Sequence, residues 1–493
     1  LNTRTDFFQS EIRNPKSQIE MGFRLLDTVI IIFMTDTIVA LATPQGRSGI
    51  GVVRLSGDRS LEIARKLAGE PGFDPVPRTA VLKHLRDIET GEVIDEALIT
   101  WFKAPHSFTG EDVVEISGHG SPVMLRQVID LCLKLDARLA EPGEFSLRAL
   151  ANGRMNLAQA EAVRDLIDAQ TTASARQAVR QMRGEFSNQL QPIKDDLLDV
   201  IVVLESALEF VEDDLPDPQA ASVKARLLDI QAGIGRIAST FRAGKLLREG
   251  LKVALVGRPN VGKSSLFNAL LGHDRAIVTE IAGTTRDQLH EKFTINNIPI
   301  ALIDTAGLRE TTDTVESIGV ERSRRTMADA DLVVVMLDGS EELTDEDREI
   351  AAGAHDLNHL IAINKIDKSS AANIELFKRE APSKIEDQRS KVIAISAKTG
   401  EGLDELQKAI IGPFAPGDIE SAGFLVSDAR HHDLLLRAGS EIEKSLDLLE
   451  QRMSEEIVLI GLHNSLRYLG QITGETTTED MLTRIFATFC IGK

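Results

Sequence analysis

Apolar and polar positions change their rhythm several times along the chain. From Asp36 to Leu139, short apolar runs such as Thr37–Leu41 and Gly51–Leu55 alternate with helix-spaced stretches, and Gly46, Gly49 and Gly51 punctuate the first turn. That texture predicts a small α+β domain over 34–152. Near Ala151 the period becomes helical. Leu157, Ala160, Val163, Leu166 and Ile167, and later Leu197, Leu198, Ile201 and Leu204, recur at helix spacing up to Glu212. Leu215-Pro216-Asp217-Pro218 interrupts the run, and a further helix is expected from Ala221 to Leu247. This all-helical stretch is assigned to 153–248.

At Leu251 the pattern becomes strand-like and alternates with helices until about Ile411, giving an α/β block over 249–413. Gly412–Gly417 reads as a linker, and helical periodicity returns from Val426 to Phe489 within 414–493. Helical sequence on both sides of an α/β block predicts that the block is inserted into a helical domain, which is tolerated when its ends lie close together. The first 33 residues end in the apolar run Leu25–Phe33, about half of the ~20 residues a bilayer crossing needs, with Asp27 inside it. They read as an extension or an upstream start, with a docked extra strand as the alternative.

Composition narrows the picture. The net charge of −20 repels a phosphate backbone on average, so RNA contact requires a local basic patch or a partner protein. Two cysteines, Cys132 and Cys490, exclude a disulfide framework and a cysteine-rich zinc site, and fit a reducing cytoplasm. One Trp and one Tyr leave little material for an aromatic platform on RNA. His431 and His432 are helix neighbours that face different ways, a poor start for a metal site.

The strongest chemical signal begins at Gly257-Arg258-Pro259-Asn260-Val261-Gly262-Lys263-Ser264, which follows a strand-like run and opens a helix through Ser265. This is the G-x-x-x-x-G-K-[ST] phosphate loop in its required context. Glycines let backbone N–H groups converge on phosphate, Lys263 neutralises charge, and the Ser264 hydroxyl completes a Mg²⁺ shell. Asp304-Thr305-Ala306-Gly307 then closes Ala301–Ile303, placing a carboxylate for Mg²⁺ and a glycine N–H for the γ-phosphate. Asn364-Lys365-Ile366-Asp367 closes Leu360–Ile363, and its Asp can accept two N–H bonds from guanine that adenine does not offer. Ser396-Ala397-Lys398 follows Val392–Ile395 and would lie against the base. Four segments in this order, each at the carboxyl end of a strand, point to GTP. The fold class is therefore multidomain α+β and α/β, with a Ras-like P-loop GTPase domain inserted among helices.

Hydrolysis needs an unusual device, because Leu308 stands after Gly307 where many small GTPases carry a water-positioning Gln. Asn260 can hold a monovalent cation beside the β/γ-phosphates, or can simply be a turn residue after Pro259. Glu316 can orient water through a bridge, or can be a solvated helix-start glutamate. Thr279-Glu280-Ile281-Ala282-Gly283-Thr284-Thr285 reads as switch I, with adjacent threonines able to serve two cations.

Taken together, the chain resembles the tRNA-modification GTPase family MnmE, also called TrmE. Asp36–Ala40 with Ala42–Arg47, Phe108–Val113 and Pro142–Phe145 are similar to its N-terminal domain. Asn156–Ala162 is similar to its helical domain, and Phe489–Lys493 to its terminal C-x-G-K. The resemblance implies potassium held by Asn260, Thr279, Ile281 and Thr284, magnesium on Ser264 and Thr285, and Glu316 acting on the attacking water. It also implies a homodimer through the N-terminal domains, and a FAD-containing partner, MnmG (GidA), in a heterotetramer-type complex. With that partner the family modifies C5 of the wobble uridine of certain tRNAs (aminomethyl or carboxymethylaminomethyl type), without any membrane. A 5-formyltetrahydrofolate pocket at Arg54, Glu115, Arg154 and Lys493 is implied too, though Arg54 and Glu115 alone would read as surface charges. Cys490 is a functional thiol or a buried helix-end thiol. The other reading is a ribosome-assembly-type GTPase switch that binds RNA without modification chemistry.

Overall fold

The structure is a computed structural model that describes residues 36–209, 217–273, 291–303, 329–371, 374–375, 377, 390–414 and 423–492. The 1–33 extension, switch I from Thr279 to Thr285, Asp304–Gly307, Glu316 and Lys493 lie outside the described residues. The chain divides into two compact units. One runs to Arg164 and resumes at Leu466; the other is Asp165–Ser465.

In the first unit the expected alternation resolves into β1 (Ile38–Leu41), β2 (Ile50–Ser56), α1 (Ser60–Ala68), β3 (Ala80–Arg86) and β4 (Val93–Phe102). These are followed by β5 (Val113–His119), α2 (Pro122–Lys134), β6 (Arg138–Leu139) and α3 (Glu144–Ala151). The strands form a mixed sheet in the order β3-β4-β5-β2-β1-β6, with β1 and β6 parallel and the other pairs antiparallel. The two-residue period places Val53, Leu55, Ile99, Trp101, Val114 and Ile116 in one core with Ile63 and Leu67 of α1 and Leu125 and Val128 of α2. Arg54 and Glu115, one position out of phase, stand directly opposite each other on adjacent strands.

The helical stretch expected from Leu157 to Glu212 is three helices: α4 (Leu157–Asp168), α5 (Thr172–Met182) and α6 (Glu185–Glu209). The first break has a local cause, since Thr171 caps α5 in a reciprocal bond pair with Ser174. The single helix expected from Ala221 to Leu247 is also corrected, to α7 (Asp217–Ser239) and α8 (Phe241–Glu249). At the break, the Thr240 hydroxyl donates to Ile237 O at 2.8 Å and accepts from Val426 N at 3.0 Å. A contact with a segment far along the chain redirects the helix, so the local periodicity carried no sign of it.

The inserted block comprises β7 (Leu251–Val256), α9 (Lys263–His273), β8 (Glu291–Ile295), β9 (Ile298–Ile303), β10 (Leu332–Asp338) and α10 (Asp345–Ala354). It continues with β11 (His359–Asn364), β12 (Ser390–Ala394) and α11 (Leu403–Ile411). Its sheet runs β12-β11-β10-β7-β9-β8, parallel except for the β8–β9 pair. That pair turns through Asn296 and Asn297, both at positive φ, the chemistry of a tight hairpin. Both faces of the sheet are covered. Val253, Leu302, Val334 and Ala362 pack with Leu266, Leu270, Leu403 and Leu406, and Leu246 and Leu247 of α8 join this core. Val333, Val335, Ile361 and Ile363 pack with Ile350, Ala351 and Ala354 on the other side. Burial on both faces explains why β10 and β11 read as unbroken apolar runs.

Chain after the block forms α12 (Ala429–Glu450), capped by the Asp428 side chain accepting from Arg430 N, then α13 (Glu455–Thr473) and α14 (Glu479–Phe486). His431 is buried against Phe186, and His432 stacks on Phe241, so the two rings face apart as expected. In the first unit Leu482, Phe486 and Phe489 pack with Leu157 and Ala160. This anchors the C-terminal residues close to α3, where Gly143 N reaches Cys490 O at 3.4 Å. Among the described residues no helix is long and apolar enough to cross a membrane.

Candidate functional site

The phosphate-loop sequence occupies the turn between β7 and α9 at the carboxyl edge of the parallel sheet. Gly262 has φ of 99°, and a Cβ there would come 2.2 Å from Asn364 Nδ2. Only glycine meets both demands. Asn260 also takes a left-handed backbone, φ 65°, which by itself accounts for Asn in this turn. Lys263 Nζ donates to Gly257 O at 2.6 Å and to Arg258 O at 2.8 Å, and burial holds its ammonium below the usual lysine range. Ser264 and Ser265 are exposed in the first turn of α9.

Asn364 joins three of the segments read from the sequence. Its side chain is buried, Nδ2 donates to Val261 O at 2.8 Å, and Oδ1 accepts from Ala397 N at 3.0 Å. The phosphate loop, the end of β11 and the loop after β12 are thereby held together by one amide. Asp367 is exposed, and its Oδ1 accepts from Ser396 Oγ at 2.7 Å. Ser396 Oγ in turn accepts from Thr399 N at 3.2 Å, so the serine is fixed from both sides. Lys398 is exposed beside it. The arrangement presents a glycine-bearing loop with the Lys263 cation at one end, and the Asp367 carboxylate, bonded by Ser396, at the other. Chemically, that is a seat for a nucleotide whose base offers N–H groups.

Two supporting residues escaped sequence reasoning. Arg258 pairs with Glu341 at 2.7 Å and with buried Asp347 at 3.1 Å, tying the phosphate loop to the capping turn of α10. Asp338, at the end of β10, pairs with Lys365. The available signal for Asp338 was its place after the apolar run Leu332–Leu337, at the same sheet edge as Asn364. Thr279, Glu280, Ile281, Ala282, Gly283, Thr284, Thr285, Asp304, Thr305, Ala306, Gly307 and Glu316 lie outside the described residues.

A second cluster gathers in the first unit. Arg54 Nε and Nη2 lie 2.9 and 2.7 Å from Glu115 Oε1, and Nη1 donates to Gly492 O at 3.2 Å. The guanidinium carbon is 5.8 Å from the ring centres of both Phe108 and Phe145. Arg54 and Glu115 are thus a half-buried pair rather than the independent surface charges their types alone suggested. The Arg154 side chain lies beside Gly110, in the loop that Asn152 Nδ2 holds through Thr109 O at 2.7 Å. The structure therefore draws together Arg54, Glu115 and the residue before Lys493, with Phe108 and Gly110 lying in one loop. The buried-thiol alternative for Cys490 is corrected: Phe489 turns inward after α14, and Cys490 is exposed.

A family description of the GTP-binding protein TrmE N-terminus matches residues 37–154, and one of the MnmE helical domain matches residues 157–490. The tRNA modification GTPase MnmE of Aquifex aeolicus (strain VF5) is 44% identical over 461 residues, covering 93% of this chain and 100% of that protein. That of Koribacter versatilis (strain Ellin345) is 44% identical over 468 residues, again 93% and 100%. That of Alkaliphilus metalliredigens (strain QYMF) is 41% identical over 467 residues, 94% and 100%. Likeness along the full length of these relatives sets aside the ribosome-assembly reading, which rested on the nucleotide segments alone. A phosphate loop tied by Asn364 to the loop after β12, on a chain that matches these relatives over 93–94% of its length, makes it a GTP hydrolase of the MnmE family of tRNA modification GTPases.

Proposed function

We propose that this hydrolase is potassium-dependent and, with a FAD-containing partner of the MnmG type, drives C5 modification of the wobble uridine of certain tRNAs in the cytoplasm. The observation that supports the reading is the link from Val261 through Asn364 to Ala397, which holds the phosphate loop, the end of β11 and the loop after β12 at one edge of the sheet. Lys263 neutralises phosphate charge, and Asp367, steadied by Ser396, accepts from the guanine edge. Asp367→Asn would shift base preference toward xanthine.

The donor set suits the cations the family implies. Ser264 brings a hydroxyl and Asn260 an amide oxygen to one loop, and hard cations take oxygen donors. Ser264 with Thr285 would hold magnesium, and Asn260 with Thr279, Ile281 and Thr284 would hold potassium. A potassium ion there would supply positive charge beside the β/γ-phosphates, the electrostatic work that an arginine finger does in other GTPases. Glu316 would orient the attacking water.

The Arg54 cluster suits a folate as well. Cationic Arg54, Arg154 and Lys493 would match a glutamyl tail, and Glu115 would match the N–H edge of a pterin. A 5-formyltetrahydrofolate held there supplies a one-carbon unit, with exposed Cys490 close to the same C-terminal residues. The N-terminal domains would join two copies. Mass spectrometry of tRNA nucleosides from a strain lacking the gene should show loss of the modified wobble uridines, and an unaltered profile rejects the proposal. Purified protein should hydrolyse GTP much faster in K⁺ than in Na⁺; equal rates remove the cation role of Asn260.

A further inference from the structure

Lys365 stands two residues before Asp367, the carboxylate proposed above to accept from guanine. The parallel register of β10 and β11 sets Asp338 opposite Asn364, so the residue after Asn364 emerges next to the end of β10. There Lys365 adopts a left-handed backbone, φ 64°, and its Nζ pairs with Asp338 Oδ2. Asp338 is buried, and its other oxygen accepts from Ser340 N at 3.0 Å and Ser340 Oγ at 2.6 Å. Burial pushes its carboxyl up, but Lys365 and Ser340 outweigh burial and hold it below the usual range, so the carboxylate stays charged. Gly339 N reaches Asn364 O at 2.8 Å and Ser369 Oγ reaches Gly339 O at 2.5 Å, which locks the two loops side by side.

We propose that Asp338 is a positioning residue that determines base specificity: by holding the Lys365 ammonium, it leaves the Asp367 carboxylate available to guanine. This rests on the reading of Asp367 as the guanine acceptor. Asp367 is exposed and already takes one bond from Ser396 on Oδ1. An ammonium released two residues away competes for the remaining lone pairs, which are the ones guanine N1–H and the 2-amino group require. Any nucleotide loses from a disordered loop to the same extent, whereas a blocked carboxylate costs guanine two N–H bonds and hypoxanthine, which keeps only N1–H, one. Comparing GDP with IDP, whose hypoxanthine lacks that group, separates the two effects.

The test uses the full-length protein with Mg²⁺ and equilibrium competition of GDP and IDP against a fluorescent GDP analogue. Asp338→Ala should weaken GDP about tenfold and IDP about twofold, compressing the GDP/IDP ratio about fivefold. Asp338→Asn, which keeps an oxygen for Ser340 while losing the ion pair, should compress it in the same direction and serves where the alanine variant fails to fold. Adding Lys365→Met to either background removes the competing cation and should return the ratio to within about twofold of the parent. An unchanged ratio in the Asp338 variants, or no recovery on adding Lys365→Met, overturns the proposal. Asp367→Asn in the same assay separates the layers. If it keeps full preference for GDP, the guanine reading itself fails; if it loses that preference while the Asp338 variants keep theirs, only the role of Asp338 fails.

Discussion

Gly262→Ala concentrates two separate costs in one methyl group. The backbone sits at φ 99°, where an L side chain is strained, and the new Cβ would press on Asn364 Nδ2 at 2.2 Å. Asn364 would have to move, releasing Val261 O and the alignment of Ala397. Nucleotide affinity should fall by about 100-fold or more, measured by equilibrium binding of a fluorescent GDP analogue. Affinity close to that of the parent would mean that Asn364 does not tie the two loops. This scale also shows which part of the site the sequence reveals. Gly262, Lys263, Ser264 and Asp367 are legible because each role fixes a residue type at a fixed spacing. Asp338 and Arg258 are not, because their partners Lys365 and Glu341 lie in other loops and Asp347 in α10, and only the fold brings them together.

Elements are legible wherever burial decides them: central strands β10 and β11, buried on both faces, read as apolar runs, and the N-terminal strands, with one face in the core, as alternation. The break between α7 and α8 was invisible, because Thr240 is set by Val426, a partner 186 residues away. Just beyond that break the chain passes into the inserted block and, after it, returns. Arg248 of α8 donates to Asp428 at 2.6 Å and pairs with Asp165 at 2.9 Å, while Asp428 caps α12. Gly244, on the same helix, lies so close to Val426 that a Cβ would fall 2.1 Å from its carbonyl oxygen. Burial pushes the Asp428 carboxyl up, but His431 and Arg248 more than offset that and hold it well below the carboxylate range. Arg248→Met should therefore strand two poorly solvated carboxylates and cost about 3 kcal/mol. Denaturant unfolding followed by far-ultraviolet circular dichroism measures this; a loss below about 1 kcal/mol would show that the pair is a solvated one.

At the scale of the whole molecule the two units can be followed separately, because the single tryptophan belongs to one of them. Trp101 is buried in β4, in the core shared with α1 and α2, so its fluorescence reports the unit that includes the N-terminal sheet. That unit contains a buried cation, Arg148, whose guanidinium reaches Asp36 at 2.7 Å, Glu144 at 2.9 Å and Glu111 at 3.2 Å. Burial pushes the Asp36 and Glu144 carboxyls up, and Arg138 and Arg148 outweigh it, so both titrate below their ordinary values. The unfolded chain therefore binds protons at a higher pH than the folded one. The stabilisation from these pairs is complete above about pH 5, where the unfolded carboxyls are ionised too, and is lost progressively as the pH falls below that. Arg148→Met should cost about 3 kcal/mol at pH 7, because it leaves carboxylates desolvated with less to oppose them. In acid the parent loses the same pairs, so the gap between parent and variant should narrow steadily as the pH falls below about 5. Urea unfolding followed by Trp101 emission at each pH measures that gap. A constant difference would mean that Arg148 stabilises through packing of its stem rather than through charge, and would remove the Asp36 and Glu144 pairs as the source of acid sensitivity in this unit.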